Sequence, residues 1–354
     1  MTNFNPDLFR LAREEQGLSQ KALAERLHVA QSEISKAESG KKIPGEDFLG
    51  SAASFFGYAP AFFAQTNVVL PEGGIRHRKR SALSATVRAR IEAEALARMM
   101  DVSVFAKDRG GLASDLPPRE GRNPVEMARA LRVAWCVPPG PVEKLVALLE
   151  RHKVFVLSFD FGTDLLDAFA LPQPDPEAPV CIALNANPAF PADRQRFTLA
   201  HELGHVVLHR EEFADESDEK RQEKDANQFA GEFLAPGADI GQDLAPPLTF
   251  ARLRELKSKW KMSMGALVRR AYDLKVVKDA DYKRIQFFFG RYGYRKREPD
   301  MGLVRETPRG VSWLAGEFVA KHGADAPAAL CLAPALFARR YPAAIPSTGG
   351  IAVT

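Results

Sequence analysis

The chain lacks most features that mark secreted or membrane proteins. Only three cysteines occur among 354 residues, at Cys136, Cys181 and Cys331, and none belongs to a C-x-x-C pair. Widely separated cysteines argue against a disulfide scaffold and favour a reducing compartment. The first residues, Met-Thr-Asn-Phe-Asn-Pro-Asp, do not resemble a signal peptide, and no apolar run is long enough to span a bilayer. We therefore expect a soluble cytoplasmic protein with no membrane partner.

The chain also lacks a dominant sign of charge. Its 49 Lys and Arg residues face 45 Asp and Glu residues, which gives a net charge of +4. This balance is compatible with nucleic-acid binding but does not require it. No internal repeat of useful length is present, and the length allows two domains with connectors.

The most informative segment that is present reads Thr-Leu-Ala-His-Glu-Leu-Gly-His at positions 198–205. His201 and His205 are four residues apart, so on a helix both rings lie on one face and can reach one cation. Glu202 is poorly placed to be a third ligand, but it can reach a metal-bound water as a general base. The segment predicts a zinc site.

A catalytic zinc site needs a third protein ligand and a fourth position for water. Residues 223–236 predict a second amphipathic helix, whose apolar stripe comprises Ala226, Phe229, Ala230, Phe233 and Leu234. We assign Glu223 as the third ligand and Asn227, one turn later, as a group that orients an imidazole. Asp225 and Glu219 are rival ligands, although Asp225 lies about 200° around the helix from Glu223.

These residues carry a family resemblance. The run Arg-Phe-Thr-Leu-Ala-His-Glu-Leu-Gly-His, followed by Glu-x-x-Ala-Asn-x-Phe-Ala from position 223, resembles the ImmA/IrrE metallopeptidase family over roughly residues 120–297. The resemblance implies zinc bound by His201, His205 and Glu223. It implies that Glu202 is the catalytic base and that the protein substrate is a transcriptional repressor.

Two details bear on the ligand set. Asp225 stands where the family more often shows Glu or Gln, which leaves the third ligand slightly open. His209 extends the histidine series by one more turn, but a third histidine ligand of the metzincin type requires a different spacing. We therefore leave His209 outside the ligand set.

The amino-terminal segment predicts a different kind of site. Short helical patterns without strand alternation fill residues 6–58. Ser19 is placed to cap a helix over about 20–27, and a three-residue turn then leads to a helix over 31–39. Two short helices joined by such a turn form a helix-turn-helix, whose second helix enters the DNA major groove.

The residues that would meet double-stranded operator DNA follow from this geometry. Candidate base readers at the start of the second helix are Gln31, Ser32, Ser35 and Lys36. Gln20, at the start of the preceding helix, is placed to contact a phosphate. The pattern Leu-Ser-Gln-x-x-Leu-Ala-x-x-Leu, followed by Gln-Ser-x-Ile-Ser-Lys-x-Glu-x-Gly, resembles the XRE, or lambda-repressor-like, DNA-binding family over residues 6–65.

Charge supports DNA binding less firmly. Residues 1–66 carry seven Lys and Arg against eight acids, whereas a domain that grips DNA alone is usually more basic. The basic run at 76–80 would add phosphate contacts, or it is a solvated linker. Residues 251–297 hold fifteen Lys and Arg against four acids, and they would contact DNA or an acidic substrate, or form a solvated helix face.

We therefore predict a multidomain protein, in which an all-α helix-turn-helix domain precedes an α+β zincin-like metallopeptidase domain. The predicted segments are a DNA-binding domain, a helical linker, a peptidase domain with a basic helical extension, and a Pro/Ala-rich end without functional signal, at 1–66, 67–119, 120–297 and 298–354. Within the third segment we expect helices near 125–133 and 141–151 and strands near 153–159 and 179–184. Within the fourth segment we expect short helices near 311–320 and 328–338. A homodimer remains open.

Three functions compete. The first is a DNA-binding regulator whose Zn²⁺-dependent endopeptidase domain cleaves a repressor-type partner in a stress or mobile-element response. The second is a repressor whose zinc domain only senses a ligand or metal. The third is the antitoxin or regulatory half of a toxin–antitoxin module.

Overall fold

The computed structural model describes residues 3–66, 83–118, 121, 123–173, 177–209 and 216–344. The chain divides into two compact units: one draws on residues 1–114, 171–181 and 309–354, and the other on residues 115–170 and 182–308. The basic run at 76–80 lies outside the described residues. No described helix is long and apolar enough to cross a membrane.

The first unit contains helices from both ends of the chain. Those of its amino-terminal part are α1 (Pro6–Glu15), α2 (Gln20–Leu27), α3 (Gln31–Glu38), α4 (Glu46–Phe56) and α5 (Ala85–Asp108). The second unit contains α6 (Pro124–Ala134), α7 (Leu145–Arg151), α8 (Ala192–His209), α9 (Glu216–Leu234), α10 (Gly237–Ile240), α11 (Phe250–Trp260), α12 (Met264–Asp273) and α13 (Asp279–Arg291). The strands are β1 (Val154–Phe159), β2 (Ala168–Ala170) and β3 (Val180–Asn185).

The predicted helix-turn-helix is confirmed, with the expected cap at Ser19. The Ser19 hydroxyl accepts a hydrogen bond from the Ala22 amide at 3.1 Å, which starts α2. His28 ends α2 in the left-handed conformation, with φ of 54°, and α3 begins at Gln31. Beneath these helices the apolar core is fully buried, as at Leu8, Leu23 and Ile34. Burial of one apolar face of each short helix stabilises helices that would be marginal alone.

The carboxyl-terminal segment packs into this same unit. It forms α14 (Gly310–His322), α15 (Ala326–Ala329) and α16 (Pro334–Arg340), where the sequence had predicted helices near 311–320 and 328–338. The second predicted helix is split, because Cys331 has a φ of 57° and Pro334 starts a new helix with its φ already fixed.

One buried arginine joins α16 to α1 and α5. The Arg340 side chain, 2% exposed, donates to Glu15 Oε1 at 2.5 Å and to Asp101 Oδ2 at 2.7 Å. It also donates to the Tyr58 hydroxyl, and the Tyr341 hydroxyl donates to Asp101. Burial is the main reason that the pKa of Asp101 is raised. Because removing one partner would strand a buried charge, α16 is a structural part of this unit.

A three-stranded sheet of order β1-β3-β2 supports the second unit. β2 pairs antiparallel with β3, with Ala168 opposite Leu184 and Ala170 opposite Ile182. The expected α6, β1 and β3 are present, whereas the helix expected near 141–151 begins only at Leu145. β2 was not predicted, because three residues are too few to show an alternating pattern.

Buried ion pairs fix α8 against its neighbours. Arg196 pairs with Glu306, whose carboxylate also accepts from the Leu145 and Val146 amides that begin α7, at 3.0 and 2.8 Å. These bonds satisfy amides that have no partner within the helix. The same carboxylate therefore holds α7 and α8 together.

A second buried cation joins α8 to α11. Lys257 Nζ lies 2.7 Å from Asp193 Oδ2 and 2.8 Å from Glu298 Oε2. Burial alone lowers the pKa of Lys257, but the hydrogen bonds to both carboxylates raise it above its usual value. Lys257 therefore remains a cation inside the unit.

Candidate metal centre and recognition helix

The structure brings His201, His205 and Glu223 together where α8 meets α9. The two Nε2 atoms lie 3.1 Å apart. His201 Nε2 is 3.6 Å from Glu223 Oε2, and His205 Nε2 is 3.4 Å from Glu223 Oε1. Hydrogen bonds from His201 and then from His205 hold the pKa of the Glu223 carboxyl far below its usual range.

The spacing of these three groups fits a zinc ion. Zinc bonds of about 2.0–2.2 Å in a tetrahedron separate neighbouring ligand atoms by about 3.3–3.6 Å. The measured separations of 3.1, 3.4 and 3.6 Å are close to that range. Among the described residues, these three form the only His, Cys, Asp or Glu group that is compact enough to hold a metal. Two imidazoles and one carboxylate also form a usual donor set for catalytic zinc.

Close packing of the two helices makes this convergence possible. A Cβ placed on Gly204 would lie 3.0 Å from Phe229 Cδ1 and 3.2 Å from Ala226 Cα. Any side chain at that position would push α9 away from α8. Gly204 lies inside the sequence motif, but sequence reasoning gave it no role.

Glu202 is held by the sheet. Its Oε2 accepts a hydrogen bond from the Ala170 amide at 2.9 Å, and its side chain is buried. Ala170 ends β2, which lies at an edge of the sheet. Because β2 was not predicted, the sequence carried no signal for this contact.

The other predicted residues of the centre lie as follows. Asn227 Nδ2 donates to the Glu223 backbone carbonyl at 2.7 Å, so this amide bonds the backbone of α9. Its expected role in orienting an imidazole stays a prediction. Asp225 Oδ2 lies 3.5 Å from Arg221 Nη1, and neither Asp225 nor Glu219 belongs to the compact group. The His205 and His209 rings lie 5.6 Å apart, and His209 is also outside the group.

The predicted DNA-reading residues lie on one face of the first unit. Gln31, Ser32 and Lys36 on α3 are exposed, and Ser35, also on α3, is half-buried. Gln31 Nε2 donates to Gln20 Oε1 at 2.7 Å, which joins the starts of α3 and α2. The two glutamines predicted to meet DNA therefore form one polar pair.

A buried ion pair stands behind this polar pair. Gln20 Nε2 donates to Glu38 Oε2 at 2.9 Å, and Glu38 in turn accepts from Arg13 Nε at 2.5 Å. The chain of bonds runs from the core arginine through Glu38 and Gln20 to Gln31. This chain of bonds limits the side-chain freedom of Gln31.

Comparison with family models assigns both regions. Residues 9–63 match the helix-turn-helix model, and residues 149–272 match the model of the IrrE N-terminal-like domain, a peptidase family. The second match includes the two histidines and Glu223. No curated protein matched the chain.

Proposed function

We propose that this chain, which joins a helix-turn-helix domain to an IrrE-type peptidase-family domain, is a transcription regulator with a zinc-dependent endopeptidase activity. Its substrate would be a protein partner of the repressor type, cleaved in a stress or mobile-element response. One observation carries the peptidase part: the ligand atoms of His201, His205 and Glu223 converge beside a buried Glu202. The exposed face of α3 supports operator binding.

His201, His205 and Glu223 would hold the zinc ion. When bound, the ion would lower the pKa of water and polarise a peptide carbonyl. Glu223 is ionised at neutral pH because the histidines favour its charged form. With both histidines neutral, as metal ligation requires, Glu223 would be the one charged donor of the centre.

Glu202 would act as the general base. It would take a proton from the attacking water and deliver it to the leaving amine. The Ala170 amide bonds Oε2, so Oε1 is the oxygen left to hold that proton. A fixed carboxylate loses less rotational freedom on reaching the transition state than a mobile one.

The edge position of β2 supports a peptide substrate. An extended chain can add to an exposed sheet edge through main-chain hydrogen bonds. β2 ends at Ala170, whose amide touches the Glu202 carboxylate. A peptide paired along this edge would therefore pass close to the base.

Replacement of the base tests this proposal. We expect Glu202→Gln to abolish cleavage, because an amide cannot accept the proton, while zinc content and operator binding stay unchanged. The measurement is cleavage profiling in cells that carry wild type or the variant. It is combined with metal analysis and operator binding of the purified proteins.

Two variants serve as controls. Asp225→Asn also replaces a carboxylate by an amide, but on α9 and outside the compact group. This variant should cleave normally. His201→Ala should lose both zinc and cleavage. If Glu202→Gln regulates its promoter and cleaves like wild type, the enzymatic proposal fails and a non-catalytic sensor or an antitoxin-type regulator takes its place.

A further inference from the structure

A surface outside both sites is strongly cationic. Six Lys and Arg and no acidic residue occur in residues 283–297, which span most of α13 and the turns after it. All six are exposed: Lys283, Arg284, Arg291, Arg295, Lys296 and Arg297. We call these residues the α13 cationic surface.

Most of these charges lack a carboxylate partner. Arg284 pairs with Asp281 at 2.9 Å, and Arg295 donates to the Gln286 carbonyl at 3.0 Å. Within the described part of the chain, no acidic group lies at salt-bridge distance from the remaining four, which are Lys283, Arg291, Lys296 and Arg297. The nearest acid in sequence, Glu298, is already bonded to Lys257 and to the start of α12. An ordinary solvated helix face usually mixes both signs of charge. Here the only acids of α13, Asp279 and Asp281, lie in its first turn, and the six cations that follow outnumber them.

Two aromatic rings lie exposed among these charges. Phe287 is 64% exposed and Tyr292 is 56% exposed. Phe288 lies between them, with ring centroids 5.5 Å from Phe287 and 6.1 Å from Tyr292. Ile285 and Phe289, both buried, form the inward face of α13. Tyr292 also packs against Phe250 and Tyr294, with ring centroids 5.5 and 5.7 Å apart. Phe287 and Tyr292 nevertheless keep more than half of their surface exposed, which costs free energy unless a partner covers it.

We propose that the α13 cationic surface, with Phe287 and Tyr292, binds single-stranded nucleic acid. The cations would follow the phosphates, and the two rings would stack on unpaired bases. Four of the six cations are arginines, whose planar guanidinium groups suit phosphate and base faces. This surface uses none of the residues of α3 or the metal centre, so the proposal is independent of the peptidase activity.

The exposed rings decide between single strands and duplex DNA. A duplex offers phosphates to the cations but keeps its bases stacked, so the rings would add little to its binding. A single strand offers π-faces that any base can supply, which gives binding with little sequence preference. The surface should therefore prefer oligo-dT to a blunt duplex of unrelated sequence.

The test measures fluorescence anisotropy of labelled oligo-dT, about 20 nucleotides long, with the full-length protein. Phe287→Ala with Tyr292→Ala should weaken binding about tenfold, because each stacked base contributes several-fold to affinity. Replacing Arg295, Lys296 and Arg297 by Gln should also reduce the slope of log K against log salt by about 2. The control pair Lys275→Gln and Lys278→Gln removes exposed charge before α13 and should change little.

Two further variants test whether binding is specific to this surface. Trp313→Ala removes a comparably exposed ring in the other unit and should leave oligo-dT binding unchanged. Lys107→Gln removes an exposed cation at the end of α5 and should also leave it unchanged. The proposal is overturned if the double ring variant binds oligo-dT like wild type. It is also overturned if a blunt duplex competes equally well, or if only anionic vesicles bind.

Discussion

The molecule contains two helix pairs that share the same turn. The start of the second helix is exposed in one pair and buried in the other. In α2–α3, His28 ends the first helix with φ of 54° and the second begins at Gln31. In α11–α12, Lys261 ends the first helix with φ of 53° and the second begins at Met264. Both first helices start from a side-chain cap, Ser19 in one and Thr249 in the other. The backbone signal of a helix-turn-helix thus occurs twice.

The two second helices differ in what covers their amino-terminal turn. Gln31 is exposed, whereas Met264 at the corresponding position is fully buried. No side chain caps α3 at Ala30. In α12, Ser263 caps the helix and Glu298 accepts from the first two amides at 2.7 and 2.8 Å. Turn geometry therefore sets how two helices pack, and exposure of the second helix decides whether it can read DNA.

The largest effect should come from removing the group that closes α12. Glu298→Ala would leave buried Lys257 with one carboxylate instead of two and would free two helix amides. Loss of a buried charged hydrogen-bond network costs about 3 kcal/mol in the free energy of unfolding. Urea unfolding of wild type and variant measures this difference.

An exposed acid on α11 provides the matched control. Glu255 is 67% exposed and pairs only with Arg252 among described residues, so Glu255→Ala should change stability by less than about 0.5 kcal/mol. Equal stabilities of Glu298→Ala and Glu255→Ala would show that α12 is not closed by this carboxylate.

Local patterns predicted one pair and missed the other. The XRE-like pattern, the Ser19 cap and the histidine spacing each lie within a few residues, so sequence alone could place them. For α11–α12 the sequence predicted only a basic helical extension, without its turn. The turn at Lys261 could not be predicted, because lysine is not a residue type that indicates a positive φ.

Contacts between distant residues were beyond sequence reasoning. Arg340 reaches Glu15 across 325 positions, and no sequence pattern indicated a role for the final segment. Glu306 meets Arg196 across 110 positions. Charged residues so far apart show no periodicity that would pair them, and composition cannot tell a buried charge from a solvated one. The position of Glu223 near the two histidines was predictable because the second amphipathic helix follows α8 so soon in the chain.

The next largest effect compares replacement of a basic residue by glutamate on α3 with the same replacement on α12. Lys36 on α3 and Arg269 on α12 occupy the same position relative to the turn, and the side chains of both reach solvent. Lys36→Glu should weaken operator binding about tenfold or more, because it replaces a cation at the DNA face by an acid. Arg269→Glu should leave operator binding unchanged. Titration of labelled operator at fixed salt measures both, and equal losses would assign DNA contact to α12 as well.

The smallest effect tests whether a side-chain cap contributes a similar free energy in both helix pairs. Ser19 accepts from the Ala22 amide at 3.1 Å, and Thr249 accepts from the Arg252 amide at 3.1 Å. Removing a helix cap costs about 1 kcal/mol, so Ser19→Ala and Thr249→Ala should each lower the free energy of unfolding by similar amounts. Hydrogen exchange of amides in α2 and in α11 reports the local opening of each helix, so this measurement keeps the two effects apart. Replacement by Gly, which caps nearly as well, should cost only a few tenths of a kcal/mol at either position. If removing the cap lowers stability in only one pair, the first helix of the other pair forms without help from its cap. The turn of that other pair would then arise from tertiary packing.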